Sequence, residues 1–329
     1  MTDLFRIAKK LVTKGKGILA SDESTATITK RFSEIGVESN EENRRKYRQL
    51  LYTTKGIEQF ISGVIMYDET IRQKADTGKR FITILEEKGI IPGIKVDEGL
   101  KVLPEHDGEK YTLGLDNLPE RLKEYVKLGA KFAKWRAVFS VGDKTPSDAV
   151  VDINTSDLAL YALFCQQAGL VPIIEPEVLI EGNHTINQSA IATTRVLKKL
   201  FEKLAMYNVD LKGILLKPNW VHAGLGLNIE PADIEIAKAT LSVLKHTVPD
   251  EVSGIVFLSG GDTPENSTNH LSAINDLGED APWELSFSFG RALQNEALKI
   301  WAGKDENIKL AQNALYKRVQ KVANASENQ

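Results

Sequence analysis

The feature that most constrains the fold is a regular alternation of short apolar segments with longer segments of helical periodicity. Continuous apolar segments are typical of strands that are buried on both faces, and alternation of such strands with helices is typical of a parallel sheet. Each apolar segment is followed by polar residues, glycine or proline. The eight segments are 17–21, 61–67, 91–96, 131–138, 170–175, 212–217, 253–259 and 284–289.

The segments between these predicted strands carry the periodicity of amphipathic helices. Predicted helices include 41–51, 118–128, 156–167, 191–207, 231–244 and 292–302. Two helix starts are predicted from capping residues: Ser39 with Glu42 forms a capping box, and Thr263 precedes Pro264 in the first turn of a helix.

Eight strand–helix units predict an α/β fold, a (β/α)8 TIM barrel with an extra N-terminal helix and C-terminal helices. The length of 329 residues fits one catalytic barrel domain over 1–329. An open doubly wound sheet is the alternative. The first strand is not followed by a G-x-G-x-x-G motif, so the nucleotide-binding form of that sheet has little support.

Composition restricts the partners of this chain. The net charge is -3 and the pI is about 6.1, so there is no basic surface of the kind that binds nucleic acid. No segment approaches the apolar length of a membrane span, and the N-terminus lacks the apolar core of a signal peptide. Cys165 is the only cysteine, so we expect a cytoplasmic protein without membrane or nucleic-acid partners.

Lys217 is the strongest candidate for chemistry, because it follows the apolar segment 213–216 and precedes Pro218. Burial disfavours the charged form of a lysine, and a neutral lysine amine is a nucleophile that forms a Schiff base with a carbonyl group. The alternative is that Lys217 caps its strand and extends the amine into solvent. Other apolar segments carry Lys95, Lys134 and Glu175, which favours one shared polar site.

Catalytic residues of TIM barrels lie at the C-terminal ends of the strands. The predicted ends are rich in ionisable residues; they include Asp22, Lys95, Lys134, Arg136, Glu175, Glu177 and Lys217.

The last two predicted strands end in glycines that predict a phosphate site. Ser259 and Gly260 follow one strand, and Gly290 and Arg291 follow the other. Glycine lets backbone N–H groups approach an anion, and arginine adds a bidentate contact. A second cationic region is predicted from Arg31 and Arg136 with Ser24 and Thr27, which suits a substrate with a phosphate at each end.

These segments resemble class I fructose-bisphosphate aldolase over nearly the whole chain. The motifs that carry the resemblance are GKGILA at 15–20, DEST at 22–25, EENRR at 41–45, GIKVD at 93–97, FAKWR at 132–136, VPIIEPE at 171–177, LLKPN at 215–219, FLSGG at 257–261 and FGRALQ at 289–294. The resemblance implies reversible cleavage of fructose 1,6-bisphosphate to dihydroxyacetone phosphate and glyceraldehyde 3-phosphate in glycolysis and gluconeogenesis.

The resemblance also implies a role for each site residue. Lys217 corresponds to the Schiff-base lysine, Asp22 to the group that handles the C4 hydroxyl proton, and Glu175 to the acid/base in carbinolamine dehydration. The remaining catalytic positions are Lys134 and Glu177 as electrostatic and proton-relay partners, with Lys95 as a cation that contacts substrate. The C1 phosphate is assigned to Ser259, Gly260, Gly290 and Arg291, and the C6 phosphate to Arg31, Arg136, Ser24 and Thr27.

Two expectations concern groups that this chemistry does not require. No cofactor or metal is expected, since an iminium serves as the electron sink; the five histidines show no ligand spacing and are expected in loops or at the surface. Clustered lysines are expected to lower one another's pKa.

The chain also departs from familiar members. Ala26 and Thr27 stand where a glycine and a serine are expected. Animal-type members end in a tyrosine that helps protonate the enamine, whereas the last tyrosine here is Tyr316. We therefore expect water or another residue to serve, with a slower turnover.

Two other functions are compatible with the sequence: a non-catalytic sugar-phosphate-binding scaffold, and another Schiff-base barrel enzyme of the transaldolase type, because fold alone does not determine the substrate. The resemblance further implies a homo-oligomer, a tetramer.

Overall fold

Eight parallel strands form a closed barrel in the computed structural model, which describes residues 3–106, 108–227, 229 and 231–327. The barrel strands are β1 (Gly17–Ser21), β2 (Ile61–Met66), β3 (Ile91–Lys95), β6 (Phe132–Phe139), β7 (Val171–Val178), β8 (Leu215–Leu216), β9 (Gly254–Phe257) and β10 (Glu284–Phe289). Every apolar segment predicted as a strand overlaps one of them, although β6 and β7 extend one and three residues beyond the predicted ends.

The barrel strands pair with their neighbours in chain order, and the last strand pairs with the first. Ile18 of β1 lies opposite Ser288 of β10, and Leu19 lies opposite Phe289. This contact closes the sheet, which confirms the predicted barrel and excludes the open doubly wound alternative.

Helices connect consecutive barrel strands and surround the sheet, with additional helices at both termini. They are α1 (Asp3–Leu11), α2 (Thr25–Ser33), α3 (Glu41–Thr53), α4 (Asp68–Arg72), α5 (Phe81–Glu87), α6 (Leu118–Leu128), α7 (Asp148–Gln167), α8 (Ile186–Met206), α9 (Asp233–Thr247), α10 (Pro264–Leu277), α11 (Arg291–Trp301) and α12 (Ile308–Ala325). The extra helices predicted at the N- and C-termini are therefore confirmed.

One predicted helix start is confirmed and the other is wrong by one residue. Thr263 caps α10 by accepting a hydrogen bond from the Asn266 N–H at 3.1 Å, with Pro264 in the first turn. At α3 the cap is Asn40, whose Oδ1 accepts from the Asn43 N–H at 2.8 Å. Asparagine is as favourable as serine at the N-cap. The helix therefore begins one residue later than predicted, and Ser39 lies outside it.

The sequence did not predict a small antiparallel hairpin between β3 and β6. Its strands are β4 (Leu100–Val102) and β5 (Lys110–Thr112). Strands of this length carry too little alternation to be recognised as a pattern.

The N-terminal ends of the barrel strands are closed by α1. Ala8 and Leu11 are fully buried and pack in one cluster with Ile18, Phe132 and other residues of the barrel interior. A side chain at Gly63 would lie 2.6 Å from Leu11, which shows how closely α1 approaches β2. One end of the barrel is therefore filled by apolar side chains, which leaves the other end for polar chemistry.

No helix in the described part of the chain is both long enough and apolar enough to cross a membrane.

Candidate active site

A cavity of about 1370 Å³ opens at the C-terminal ends of the barrel strands. Every residue that the sequence predicts for catalysis or substrate binding lines it: Asp22, Ser24, Thr27, Arg31, Lys95, Lys134, Arg136, Glu175, Glu177, Lys217, Ser259, Gly260, Gly290 and Arg291. The parallel barrel brings these residues together because all of its strands end on the same side.

Lys217 is held by the strand ladder beyond the last residue of β8. Its backbone N–H donates to the Ile174 carbonyl oxygen at 2.8 Å, which fixes the point where the side chain leaves the sheet. The side chain is 5% exposed, and Nζ lies 3.2 Å from Glu175 Oε1. The alternative in which Lys217 extends its amine into solvent is therefore wrong.

Lys134 lies between two carboxylates that come from different strands. Its Nζ is 2.9 Å from Asp22 Oδ2 and 3.2 Å from Glu175 Oε2. Glu175 therefore contacts Lys134 through one oxygen and Lys217 through the other. This arrangement links residues in or directly after four strands, β1, β6, β7 and β8, into one chain of charged groups.

The pKa values of this cluster are set by opposite charges. Burial would raise the pKa of Asp22, but Lys134 and Lys217 outweigh burial and lower it to about 2. The pKa of Glu175 is lowered in the same way, with burial opposed by Lys134, Lys217 and Arg136. Both groups are carboxylates near neutral pH.

The expectation that clustered lysines lower one another's pKa is wrong for Lys134. Burial alone would lower its pKa, but Asp22, Glu175 and Asp97 raise it above its ordinary range. Lys134 therefore favours its charged form, because the three carboxylates around it outweigh burial.

Asp97 is a site residue to which the sequence analysis gave no role. Its Oδ1 lies 2.6 Å from Lys95 Nζ, and its Oδ2 lies 4.0 Å from Lys134 Nζ. The sequence feature that could have identified Asp97 is its position two residues after Lys95, which ends β3. Asp97 fixes the Lys95 ammonium, whose Nζ also donates to the Asp97 carbonyl oxygen.

The two arginines predicted for the second cationic region are already paired. Arg136 donates to Glu177, and Arg31 is 5% exposed and donates to Glu23. Arg48, on α3, is also buried and lies 2.9 Å from Glu23. No pattern in the sequence predicts this position for Arg48, since α3 approaches Glu23 only through the tertiary fold.

Ser24 and Thr27 lie together at the start of α2. The Ser24 hydroxyl caps this helix by accepting from the Thr27 N–H at 3.4 Å, and the two hydroxyl oxygens are 3.1 Å apart. Both side chains reach the cavity, so a ligand there would meet hydroxyl groups and a helix N-terminus.

The predicted phosphate residues lie at the start of α11 and in the loop after β9. Gly290 occupies the cap position of α11 and offers no side chain to its N–H groups. A side chain at Gly290 would also lie 3.1 Å from the Ala20 carbonyl oxygen. Gly260 has a φ of +48°, and Arg291 is exposed beside the cavity. Free helix N–H groups next to an arginine can bind an anion.

The expectation that each histidine lies in a loop or at the surface is wrong for His270, which is buried on α10. His184 and His222 lie in the loops that follow β7 and β8, and both are buried there. The other two are half-buried His106 and exposed His246.

Comparison with known proteins identifies the family. The model of the family described as fructose-bisphosphate aldolase class-I matches residues 3–329. The chain belongs to the class I fructose-bisphosphate aldolase family. Its reaction is the reversible cleavage of fructose 1,6-bisphosphate to dihydroxyacetone phosphate and glyceraldehyde 3-phosphate.

Individual aldolases resemble the chain over almost its full length. Cytosolic fructose-bisphosphate aldolase 4 of Arabidopsis thaliana is 48% identical over 96% of this chain and 80% of its own. A probable class 1 aldolase of Xanthomonas campestris is 49% identical over 96% and 94%.

A solved aldolase from Plasmodium falciparum, in complex with TRAP and a small-molecule inhibitor, has a TM-score of 0.97. It is 46% identical to this chain and covers 99% of it and 94% of its own length. Membership of the aldolase family favours bisphosphate cleavage over the scaffold and transaldolase-type alternatives.

Proposed function

We propose that this aldolase works through a Schiff base on Lys217. The observation that carries the proposal is the buried amine of Lys217, 3.2 Å from Glu175 and open to a cavity of about 1370 Å³. A lysine amine that attacks the C2 ketone of the sugar phosphate forms a carbinolamine and then an iminium.

Glu175 supplies the proton transfers of iminium formation. Because it is a carboxylate in the free enzyme, it first accepts a proton from the Lys217 ammonium, which leaves a neutral amine and a carboxylic acid. That acid then protonates the carbinolamine hydroxyl, which departs as water. Lys134 stabilises the carboxylate form of Glu175 before the first transfer.

Asp22 is the base for carbon–carbon bond cleavage. Its low pKa keeps it ionised, so it can accept the C4 hydroxyl proton while the C3–C4 bond breaks and its electron pair moves to the iminium. Glyceraldehyde 3-phosphate leaves, and Asp22 returns the proton through water to C3 of the enamine. Hydrolysis of the resulting iminium releases dihydroxyacetone phosphate and the free Lys217 amine. Glu177 and Lys95 stabilise the charged groups around Asp22 and Glu175. Glu177 pairs with Arg136, and Lys95 pairs with Asp97.

Two regions of the cavity bind the phosphates. The C1 phosphate lies at the N-terminus of α11, on Ser259, Gly260, Gly290 and Arg291. The C6 phosphate lies near Ser24, Thr27, Arg31 and Arg136. Since Arg31 and Arg136 are already bonded to carboxylates, the C1 region contributes more of the binding free energy.

The test is borohydride trapping with dihydroxyacetone phosphate, followed by mass mapping of the reduced adduct. We expect one adduct per chain on Lys217 and none in Lys217→Met. Lys95→Met serves as the matched control, since it removes a lysine of the same cavity and leaves the trapping lysine in place. An adduct on another lysine, or an active enzyme that gives no adduct, would overturn the proposal.

We further propose that residues 1–329 form one catalytic domain, that the protein is cytoplasmic, and that it is a homotetramer. Two relatives with cytosolic names support the location. Ile191 and Met206 of α8 are apolar and more than half exposed, which supports a subunit contact on that helix. Light scattering during gel filtration measures the subunit number; a monomeric mass would contradict the tetramer.

A further inference from the structure

Three buried side chains outside the aldolase cavity meet at one point behind the loops that follow β8 and β9. They are His222, which lies five residues beyond Lys217, Asp262, which follows the Gly260–Gly261 turn, and His270 of α10. One ligand atom of each lies within 4.8 Å of the others. His222 is 4% exposed, His270 is 2% exposed, and the Asp262 side chain is 4% exposed.

The hydrogen-bonding environment assigns the tautomer of His222. Its Nδ1 lies 2.6 Å from the Ala223 carbonyl oxygen. A carbonyl oxygen only accepts, so Nδ1 carries the proton and donates it. The other nitrogen of the ring, Nε2, therefore has a lone pair.

His270 has a carboxylate next to each of its two ring nitrogens. Its Nδ1 lies 2.6 Å from Asp233 Oδ1, and its Nε2 lies 3.6 Å from Asp262 Oδ2. Both ring nitrogens are buried, and within the described part of the chain neither makes a hydrogen bond of regular geometry. A carboxylate behind a histidine is the usual support for a metal-binding imidazole, because it fixes the ring and makes the opposite nitrogen more basic.

A cation bound among these three side chains satisfies ring nitrogens that are buried away from solvent. Two imidazole nitrogens and one carboxylate oxygen are a donor set typical of zinc and related ions. Tetrahedral coordination with bonds of about 2.1 Å places the ligand atoms about 3.4 Å apart. The distance of 3.6 Å between His270 Nε2 and Asp262 Oδ2 is close to this spacing. Rotation of the His222 side chain can bring its Nε2 to a similar distance.

We propose that His222, Asp262 and His270 bind one divalent transition-metal ion of the zinc type, with water as a fourth ligand and Asp233 as support for His270. The site does not line the catalytic cavity. It joins the segment after β8 to the turn after β9 and to α10, so the ion stabilises the fold at that point. Since Asp262 also closes the turn on Ser259 through its N–H at 3.1 Å, the ion fixes the loop that carries Gly260.

The test is titration of the chelator-treated full-length enzyme with Zn²⁺ by calorimetry, and with Co²⁺ by visible absorption, which reports tetrahedral coordination. We expect one ion per chain and a higher melting temperature with Zn²⁺. His222→Asn and His270→Asn should each abolish this binding. His246→Asn is the matched control, because His246 is exposed on α9 and its loss should leave binding unchanged.

Asp233→Asn keeps the test independent of folding, because the Asp233 side chain is 42% exposed and lies outside the three ligands. Loss of a supporting carboxylate should weaken Zn²⁺ binding about 10- to 100-fold while aldolase activity persists. Absence of saturable Zn²⁺ and Co²⁺ binding by the unmodified enzyme would overturn the proposal. Zn²⁺ binding that persists in both His222→Asn and His270→Asn would also overturn the proposal. Each readout is separate from Schiff-base trapping, so the two proposals can fail independently.

Discussion

At the scale of single residues, the site is organised by carboxylates more than by lysines. Glu175 contacts Lys217 with one oxygen and Lys134 with the other, at 3.2 Å in both cases. The sequence identified both lysines and Glu175, since each follows a strong apolar segment. It could not reveal which oxygen faces which amine, because that depends on the register of neighbouring strands. It also gave no indication of Arg48, which reaches Glu23 from another element.

Glu175→Gln tests the proton transfers at this position. Glutamine keeps the shape of the side chain but can neither accept the Lys217 proton nor return it, so kcat should fall about 10²- to 10⁴-fold. Steady-state kinetics and the rate of borohydride trapping should fall together. Glu98→Gln is the control: Glu98 lies at the cavity rim with a 55% exposed side chain, and its loss should change kcat only slightly. Equal losses in the two variants would contradict the role of Glu175.

The low pKa of Asp22 predicts a specific pH dependence of stability. The pKa falls from 3.8 to about 2 on folding, so the carboxylate stabilises the fold above about pH 4 and loses this effect as the pH falls through 2. A shift of this size corresponds to about 2 kcal/mol. Asp22→Asn should therefore lower the free energy of unfolding by at least that amount at pH 5, and the part that depends on ionisation should shrink toward pH 3.

Urea unfolding at several pH values and one protein concentration measures this difference for Asp22→Asn. A difference that stays constant from pH 5 to pH 3 would show that Asp22 does not titrate as described. Asp3→Asn is a suitable control, because the Asp3 side chain is 84% exposed.

At the scale of elements, the strands were easier to predict than the starts of the helices. The eight apolar segments each gave a barrel strand because burial on both faces leaves an unbroken apolar pattern. α7 begins at Asp148 and α8 at Ile186, earlier than their periodic segments indicated. Ser147 and Thr185 cap these helices, so the missing information was in the caps and not in the apolar pattern.

The element that closes the barrel is α1, and Leu11→Ala tests its contribution. Leu11 is fully buried against the barrel interior, so truncation should lower the free energy of unfolding by about 2–5 kcal/mol. Arg6→Ala, on the same helix, removes a surface ion pair with a 64% exposed arginine and should cost less than about 0.5 kcal/mol. Chemical denaturation measures both. Similar losses would show that α1 does not seal this end.

At the scale of the whole molecule, the barrel separates stability from chemistry. Apolar side chains fill the end near α1, whereas the opposite end carries the charged cavity. The sequence predicted the charged end, because polar residues follow the apolar segments, but it did not predict that α1 fills the other end. The hairpin of β4 and β5 was not predicted, because it is an insertion in the repeating strand–helix pattern.

The two proposed phosphate regions lie at the mouth of the barrel, and Arg291→Ala tests their assignment. Fructose 1,6-bisphosphate and fructose 1-phosphate share the C1 phosphate, so KM should rise for both by a similar factor. Loss of a charged hydrogen bond of about 1.5–3 kcal/mol corresponds to roughly 10- to 150-fold. Arg6→Ala, at the far end of the barrel, should leave both KM values unchanged. An effect confined to the bisphosphate would reverse the assignment of the two regions.

The interleaved charges at the strand ends also constrain how the chain can evolve. Lys95, Lys134 and Lys217 each contact a carboxylate of the cavity. Removing one member of a buried pair leaves an uncompensated charge and costs about 3–5 kcal/mol. A duplicated copy freed from selection for catalysis would lose stability with almost any single change here. Selection for folding therefore acts on these charged residues as well as selection for turnover. New chemistry is reached more easily when both members of an ion pair are replaced together.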